Sequence, residues 1–169
     1  MAIGQITFNI AEYMNYKIGF PAPEFTLFNS EKQEISLRQF RGKNVVLLFI
    51  PQAFTGKCTE ELCSVRDTLS EFESLNAEVM SISVDSVFTL DNWKQQQSFN
   101  FQLLSDFNKD VSKAYDSFIE DFVFGMKGVS KRAAFVIDKQ GIVRHAEITE
   151  NPGLLPDINQ IKEVLSTLA

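Results

Sequence analysis

Phe49-Ile-Pro51-Gln-Ala-Phe-Thr55-Gly-Lys-Cys58-Thr-Glu-Glu61-Leu-Cys63 is the stretch on which both fold and chemistry turn. Before it, Val45–Ile50 (VVLLFI) is a continuous apolar run rich in β-formers, as a strand buried on both faces requires. Pro51 ends that strand, since it cannot donate to a central ladder. After it, Cys58–Leu75 is predicted to be a helix, with Leu62, Val65, Leu69 and Phe72 at spacings of 3, 4 and 3. Val79–Val84 (VMSISV) alternates and reads as a second strand. Strand, helix and strand in that order make a βαβ unit, hence a parallel pair with a right-handed crossover.

Further along, helices are predicted over Val87–Ser98 and Lys109–Tyr115, with a short strand Phe101–Leu104 between them. Ala133–Ile137 and Ile142–Ile148 flank Asp138-Lys-Gln-Gly141, a hairpin signal with Gly at the turn. Leu155–Leu168 closes the chain as an amphipathic helix, with Leu155, Ile158, Ile161, Leu165 and Leu168 on one stripe. Ser117–Gly128 is apolar without a period and is expected to be a loop near the active face. Gly19–Pro23 is extended, because its two prolines exclude helix. The result is an α/β fold of thioredoxin-like arrangement, a central mixed sheet with helices on both faces. No repeat or linker divides the 169 residues, so residues 1–169 are expected to form one domain. Residues 1–17, in which Ile6, Phe8 and Ile10 alternate, are expected to be an N-terminal arm or an added edge strand.

Composition excludes several classes. Apolar residues at 44 % and charged residues at 22 % are ordinary for a globular protein. The longest apolar run falls far short of the ~20 residues of a membrane helix. The net charge of −6 argues against a nucleic-acid or anionic-membrane partner. Two Cys and one His cannot supply four zinc ligands from these residue types, and no cofactor is implied. Residues 1–16 hold no Lys or Arg, so no charged leader is expected and the expected location is cytoplasmic. In a reducing compartment a Cys pair is more often redox-active than a permanent staple.

The chemistry gathers at Cys58. It sits where a parallel strand ends and a helix begins, the position at which open α/β sheets bind ligands. Unpaired N–H groups and partial positive charge at a helix start favour the thiolate, the reactive form of Cys. On the helical wheel Cys58 shares the stripe of Leu62, Val65, Leu69 and Phe72, while Cys63 lies about 140° away. Their Cα atoms would stand roughly 8–9 Å apart in an intact helix. A disulfide needs less than about 7 Å. The pair therefore cannot bridge unless the start of the helix unwinds. His145 is the only imidazole in the chain and lies far from the motif in sequence, which argues against a Cys–His pair. Four residues between the two Cys argue against a disulfide reductase of thioredoxin type.

Pro51-x-x-x-Thr55-x-x-Cys58, with Arg132 before the strand Ala133–Ile137, resembles the active site of the peroxiredoxin family. Cys58-Thr-Glu-Glu-Leu-Cys63 is similar to the bacterioferritin comigratory (peroxiredoxin Q) group, and Pro51-Gln-Ala-Phe-Thr-Gly to the alkyl hydroperoxide reductase E-like group. The likeness runs from about Ile18 to Leu168, through Pro23-Glu-Phe-Thr-Leu27, Leu104-Ser-Asp-Phe107 and Phe135-Val-Ile-Asp138. It implies a thiol-dependent peroxidase acting on hydrogen peroxide and organic hydroperoxides. Cys58 would form a sulfenic acid, Thr55, Arg132 and nearby backbone N–H groups would be donors, and Pro51 would cover the sulfur. Glu61 would orient the Arg and the Thr. Cys63 would resolve the sulfenic acid to an intrachain disulfide, reopened by a thioredoxin-like or glutaredoxin-like reductant. One-Cys relatives lack a Cys at position 63, so a one-Cys cycle with an external thiol, or a peroxide-sensing protein, stays open. The resemblance also implies a homodimer through loops at the active-site edge, with Phe49, Phe54, Phe122, Phe124 and Trp93 as candidates for an apolar rim.

Overall fold

The computed structural model describes residues 18–168. The expected arm over residues 1–17, with its alternating Ile6, Phe8 and Ile10, lies outside the described residues. Strands β1 (Thr26–Asn29), β2 (Glu34–Ser36), β3 (Asn44–Phe49), β4 (Ala77–Ser83), β5 (Gln102–Ser105), β8 (Arg132–Ile137) and β9 (Val143–Thr149) form one sheet. Its order is β2-β1-β5-β4-β3-β8-β9. β3 runs parallel to β4 and β4 to β5, while β1, β2, β8 and β9 pair antiparallel, so the sheet is mixed as expected.

Period-two alternation sends the central strands to two cores. Val46 and Leu48 of β3 and Ala134 and Val136 of β8 join one cluster with α1 (Gly56–Asp67), α2 (Leu69–Ser74), α3 (Val87–Gln97) and α5 (Ile158–Ser166). Val45, Leu47, Phe49, Ala133, Phe135 and Ile137 face the other way, onto Leu37, α4 (Asp110–Ala114) and Tyr115. Helices therefore cover both faces. Every residue of β3 and β8 is buried, which explains why the run Val45–Ile50 is apolar throughout. Among the described residues no helix is long and apolar enough to cross a membrane.

Several expectations need correction. The helix predicted over Cys58–Leu75 is two helices, broken at Thr68. There the backbone leaves helical geometry (φ −119°, ψ 18°) and the hydroxyl donates back to the Ser64 carbonyl at 2.9 Å. The stripe Leu62, Val65, Leu69 and Phe72 nonetheless stays buried across the break. The closing helix starts at Ile158 rather than Leu155, because Pro156 disfavours helix before it and Asp157 caps the start, accepting from the Gln160 N–H at 3.0 Å. Ser117–Gly128 is not all loop. It contains β6 (Phe118–Asp121) and the start of β7 (Lys127–Ser130), a separate ribbon turned by Val123–Gly125 with Phe124 and Gly125 left-handed (φ 57° and 72°). No residue of β6 is buried, so the alternation that marks a core strand has nothing to impose it. β1 and β2 also escaped the sequence pattern, being four and three residues long with only Asn29 buried.

Phe135 is wholly buried and meets Phe49 and Tyr115 edge-on, with centroids at 5.8 and 5.1 Å. Phe135→Ala is expected to cost ~3–5 kcal/mol of stability in urea unfolding. A loss below about 1 kcal/mol would mean that this aromatic cluster does not anchor the second core.

Candidate active site

The connection from β3 to α1 is shaped before any chemistry is added. Pro51 follows the strand and is buried. Phe54 adopts the left-handed conformation (φ 64°) and packs against Trp93 at 5.9 Å between centroids. Asp85, just after β4, accepts the Ala53 N–H and the Ser83 hydroxyl, each at 2.8 Å, and so ties the loop to the sheet. Thr55 takes the N-cap position, but its hydroxyl donates to the Gln52 carbonyl at 2.9 Å and caps nothing. The first-turn N–H groups of α1 are thus left without a capping side chain.

Cys58 is the third residue of α1, and the stripe it shares with Leu62 and Val65 turns it inward to full burial. Arg132 opens β8 on the same face as Ala134 and Val136, the face α1 covers. Its guanidinium is almost fully buried and all its nitrogens are engaged. Nη1 donates to Glu61 Oε2 at 2.5 Å, and Nη2 to the Cys58 sulfur at 3.5 Å. Nε and Nη2 also donate to the Pro152 carbonyl at 3.0 and 2.9 Å. Pro51, Thr55, Cys58 and Arg132 line one pocket of about 340 Å³, walled by Phe122, Val123, Phe124 and Met126. A larger groove of about 760 Å³ lies by β1 and β5 and contains no thiol.

Four of the residues singled out by sequence therefore share one pocket, with Glu61 behind Arg132. No bond joins Glu61 to Thr55; the Thr55 hydroxyl is turned to Gln52 instead. Cys63 is half-buried on the flank of α1, with its sulfur 3.6 Å from Gln97 Oε1. Both Cys are free thiols, and α1 is continuous between them, as the spacing argument required. His145 lies buried on β9, with its Nε2 3.7 Å from the Glu147 carboxyl. Phe49 and Trp93, candidates for an apolar rim, are core residues with no exposed surface, whereas Phe54 is 48 % and Phe124 97 % exposed. Two contributors went unread in the sequence. Pro152 acts through its carbonyl, and only the turn-like Asn151-Pro-Gly153 hinted at a loop there. Asp85 falls between the predicted strand and helix, and no local pattern connects it to Ala53.

The AhpC/TSA family model matches residues 18–146. Alkyl hydroperoxide reductase E from Mycobacterium tuberculosis is 42% identical over 154 residues, covering 89% of this chain and 97% of that protein. The reduced 2-Cys peroxiredoxin of Plasmodium vivax is 31% identical with a TM-score of 0.78, covering 89% of this chain and 95% of that one. The bacterioferritin comigratory protein of Xanthomonas campestris is 27% identical with a TM-score of 0.71, over 85% and 89% of the two chains.

Charge at the site is unevenly matched. Burial works against the Arg132 cation, but the Glu61 carboxylate and the Cys58 sulfur beside it raise its pKa above the usual value. Burial pushes Glu61 from 4.5 up to about 7, against the pull of Arg132, and Glu147 adds to the rise. Glu61 Oε1 has no hydrogen-bond partner among the described residues. Because the folded-state value lies above the unfolded one, protonated Glu61 favours the fold. That contribution is complete below about pH 4.5 and is lost as the pH rises through about 7. The native protein is expected to lose up to ~3 kcal/mol between about pH 5 and about pH 8 relative to Glu61→Gln. Equal pH slopes for the two proteins in thermal unfolding would show that this carboxyl does not titrate in that range.

Proposed function

The chain belongs to the AhpC/TSA family, the peroxiredoxins, and is a thiol-dependent peroxidase; within that chemistry we propose that Cys58 is the attacking sulfur and that Pro51, Thr55, Arg132 and Glu61 build its pocket. The observation that carries this reading is the Arg132 guanidinium, held 3.5 Å from the Cys58 sulfur at an uncapped helix start.

The Cys58 thiolate attacks one oxygen of the hydroperoxide. The S–O bond forms, the O–O bond breaks, and the departing oxygen takes the proton the thiol gave up, leaving as water or alcohol. Negative charge spreads over sulfur and both oxygens in the transition state, so fixed donors aimed there lower the barrier. Arg132 supplies one, and the uncapped first turn of α1, of which Cys58 is the third residue, adds the positive end of the helix dipole. Thr55, with its hydrogen directed to Gln52, offers its oxygen lone pairs to the peroxide O–H. Glu61 and the Pro152 carbonyl hold the guanidinium in place, and Pro51 covers the sulfur.

The substrates are hydrogen peroxide and organic hydroperoxides. The wall of Phe122, Val123, Phe124 and Met126 suits an apolar substituent, and the Xanthomonas relative is described with alkyl peroxide reduction activity. Cys63 attacks the sulfenic acid to give an intrachain disulfide, which a thioredoxin-like or glutaredoxin-like donor reopens. Such a cycle needs a reducing compartment, the cytoplasm, which cell fractionation checks. A single domain carries the whole reaction.

Cys58→Ser is expected to abolish peroxide consumption, and Arg132→Met to slow it by ~10²-fold or more. An unchanged second-order rate in either variant removes that residue from the site. After one equivalent of peroxide, peptide mass spectrometry is expected to show a Cys58–Cys63 link. A persistent sulfenic or glutathionylated Cys58 would make the enzyme one-Cys, and oxidation without turnover would make it a sensor.

The homodimer implied by the family would use exposed aromatics at the pocket edge and beside the larger groove. Phe124 is 97 %, Phe88 71 % and Phe107 60 % exposed, and Phe88 and Phe107 line the same groove. Light scattering at micromolar concentration is expected to give a dimer that Phe88→Glu weakens; a monomeric native protein ends the proposal.

A further inference from the structure

Closing a Cys58–Cys63 disulfide requires α1 to come apart between the two residues, and its two halves are held very differently. The first turn is light. Gly56, Lys57 and Glu60 are exposed, the turn has no capping side chain, and its ion pair, Lys57 with Glu60, lies in solvent. The second half is anchored twice. Leu62 and Val65 are fully buried in the core, and Arg66 reaches across to the end of α3.

Arg66 Nη1 donates to the carbonyl of Gln97, the last residue of α3, at 2.5 Å, while Nε donates to Asp67 at 2.8 Å. A cation at that point answers an orphan carbonyl and the negative end of the helix dipole. The side chain of the same Gln97 accepts from the Cys63 thiol at 3.6 Å. One residue of α3 therefore binds both Cys63, through its amide, and Arg66, through its backbone. The pKa of Arg66 is raised above its ordinary value, first by the hydrogen bond to Asp67 and in smaller part by Cys63.

Resting on the reading of Cys63 as the resolving thiol, we propose that Arg66, with Gln97, is a positioning residue that seats Cys63 on α3 while the unwound first turn brings Cys58 to it. The step balances without any further reagent. The Cys63 sulfur attacks the sulfur of the Cys58 sulfenic acid, the S–S bond forms and the S–O bond breaks. The departing hydroxide and the proton lost by Cys63 make one water. Arg66 serves this step through Gln97, by holding the end of α3, and with it the side chain that accepts from Cys63, against α1. Peroxide attack at Cys58 comes earlier and draws on Arg132 instead.

The two steps separate in a single rapid-mixing experiment with one equivalent of hydrogen peroxide, quenched at intervals and read by mass spectrometry. Loss of the Cys58 thiol reports the first step, appearance of the Cys58–Cys63 link the second, and dimedone traps the sulfenic acid between them. Arg66→Met is expected to leave the first step at the native rate and slow the second by about tenfold, with a longer-lived dimedone adduct. Arg66→Lys, which keeps the cation, is expected to recover part of the loss. Should Arg66→Met fail to fold, Gln97→Met, which removes only the side-chain partner of Cys63, is expected to slow the second step alone. An unchanged second step in these variants overturns the proposal. So does equal slowing of both steps with no recovery by Lys, the mark of a purely structural role. If the native protein forms no Cys58–Cys63 link, the resolving role itself fails and this proposal falls with it; a native link with an unaffected Arg66→Met refutes this proposal alone.

Discussion

A guanidinium buried as deeply as that of Arg132 is stable only if each of its donors is answered, because taking a cation out of water costs several kcal/mol. Here the answers come from two segments far apart in the chain: Glu61 and Cys58 on α1, and the Pro152 carbonyl on the loop between β9 and α5. Much of the architecture can be understood as the means of bringing those segments to one point. The antiparallel pairing of β3 with β8 places Arg132 across the sheet from the exit of β3. The apolar stripe of α1 rolls Cys58 and Glu61 toward it. The loop after β9 then closes over the guanidinium with main-chain oxygen, which brings no competing charge.

The same arrangement explains why a carboxylate beside the reactive sulfur is not self-defeating. A lone Glu at that distance would oppose the anion that the chemistry requires. Glu61 instead stands behind Arg132, and its bonded oxygen faces Nη1 while Nη2 faces the sulfur. The cation lies between the carboxyl and the sulfur and donates to both. Glu60, its neighbour in sequence, is turned outward and paired with Lys57, so the doublet divides into one structural and one surface carboxylate.

How much of this was legible in the sequence follows from which signals are periodic. Cys58 could be placed because its helix has an apolar stripe, and the stripe survives even the break at Thr68. The central strands could be placed because burial on both faces leaves them continuously apolar. The family motif brought Arg132 to notice, and strand parity explains why it faces α1 rather than the second core. What could not be seen was either aperiodic or carried by the backbone. The ribbon β6–β7 stands apart from the cores and so has no alternation to betray it. Pro152 contributes a carbonyl, which every residue has. Thr55 turns to Gln52 just after a left-handed Phe54, a conformation that no residue type announces.

Those last features also bear on why the reactive end of α1 is locally weak. A left-handed Phe costs of order 1–3 kcal/mol, and forgoing a Thr cap about 1 kcal/mol more. Both lie within four residues of Cys58, and neither is relieved locally. The loop is held instead from outside, by Asp85 at Ala53 and by the contact of Phe54 with Trp93. Apart from Cys58 itself, buried against Arg132, little holds a first turn built in this way, whereas the turn bearing Cys63 is fixed to the core and to α3. The uncapped amides that favour attack on a peroxide are thus part of the same weakness that lets the helix start unwind afterwards. One local economy of hydrogen bonds serves two successive steps, and strengthening the cap would be expected to hinder both.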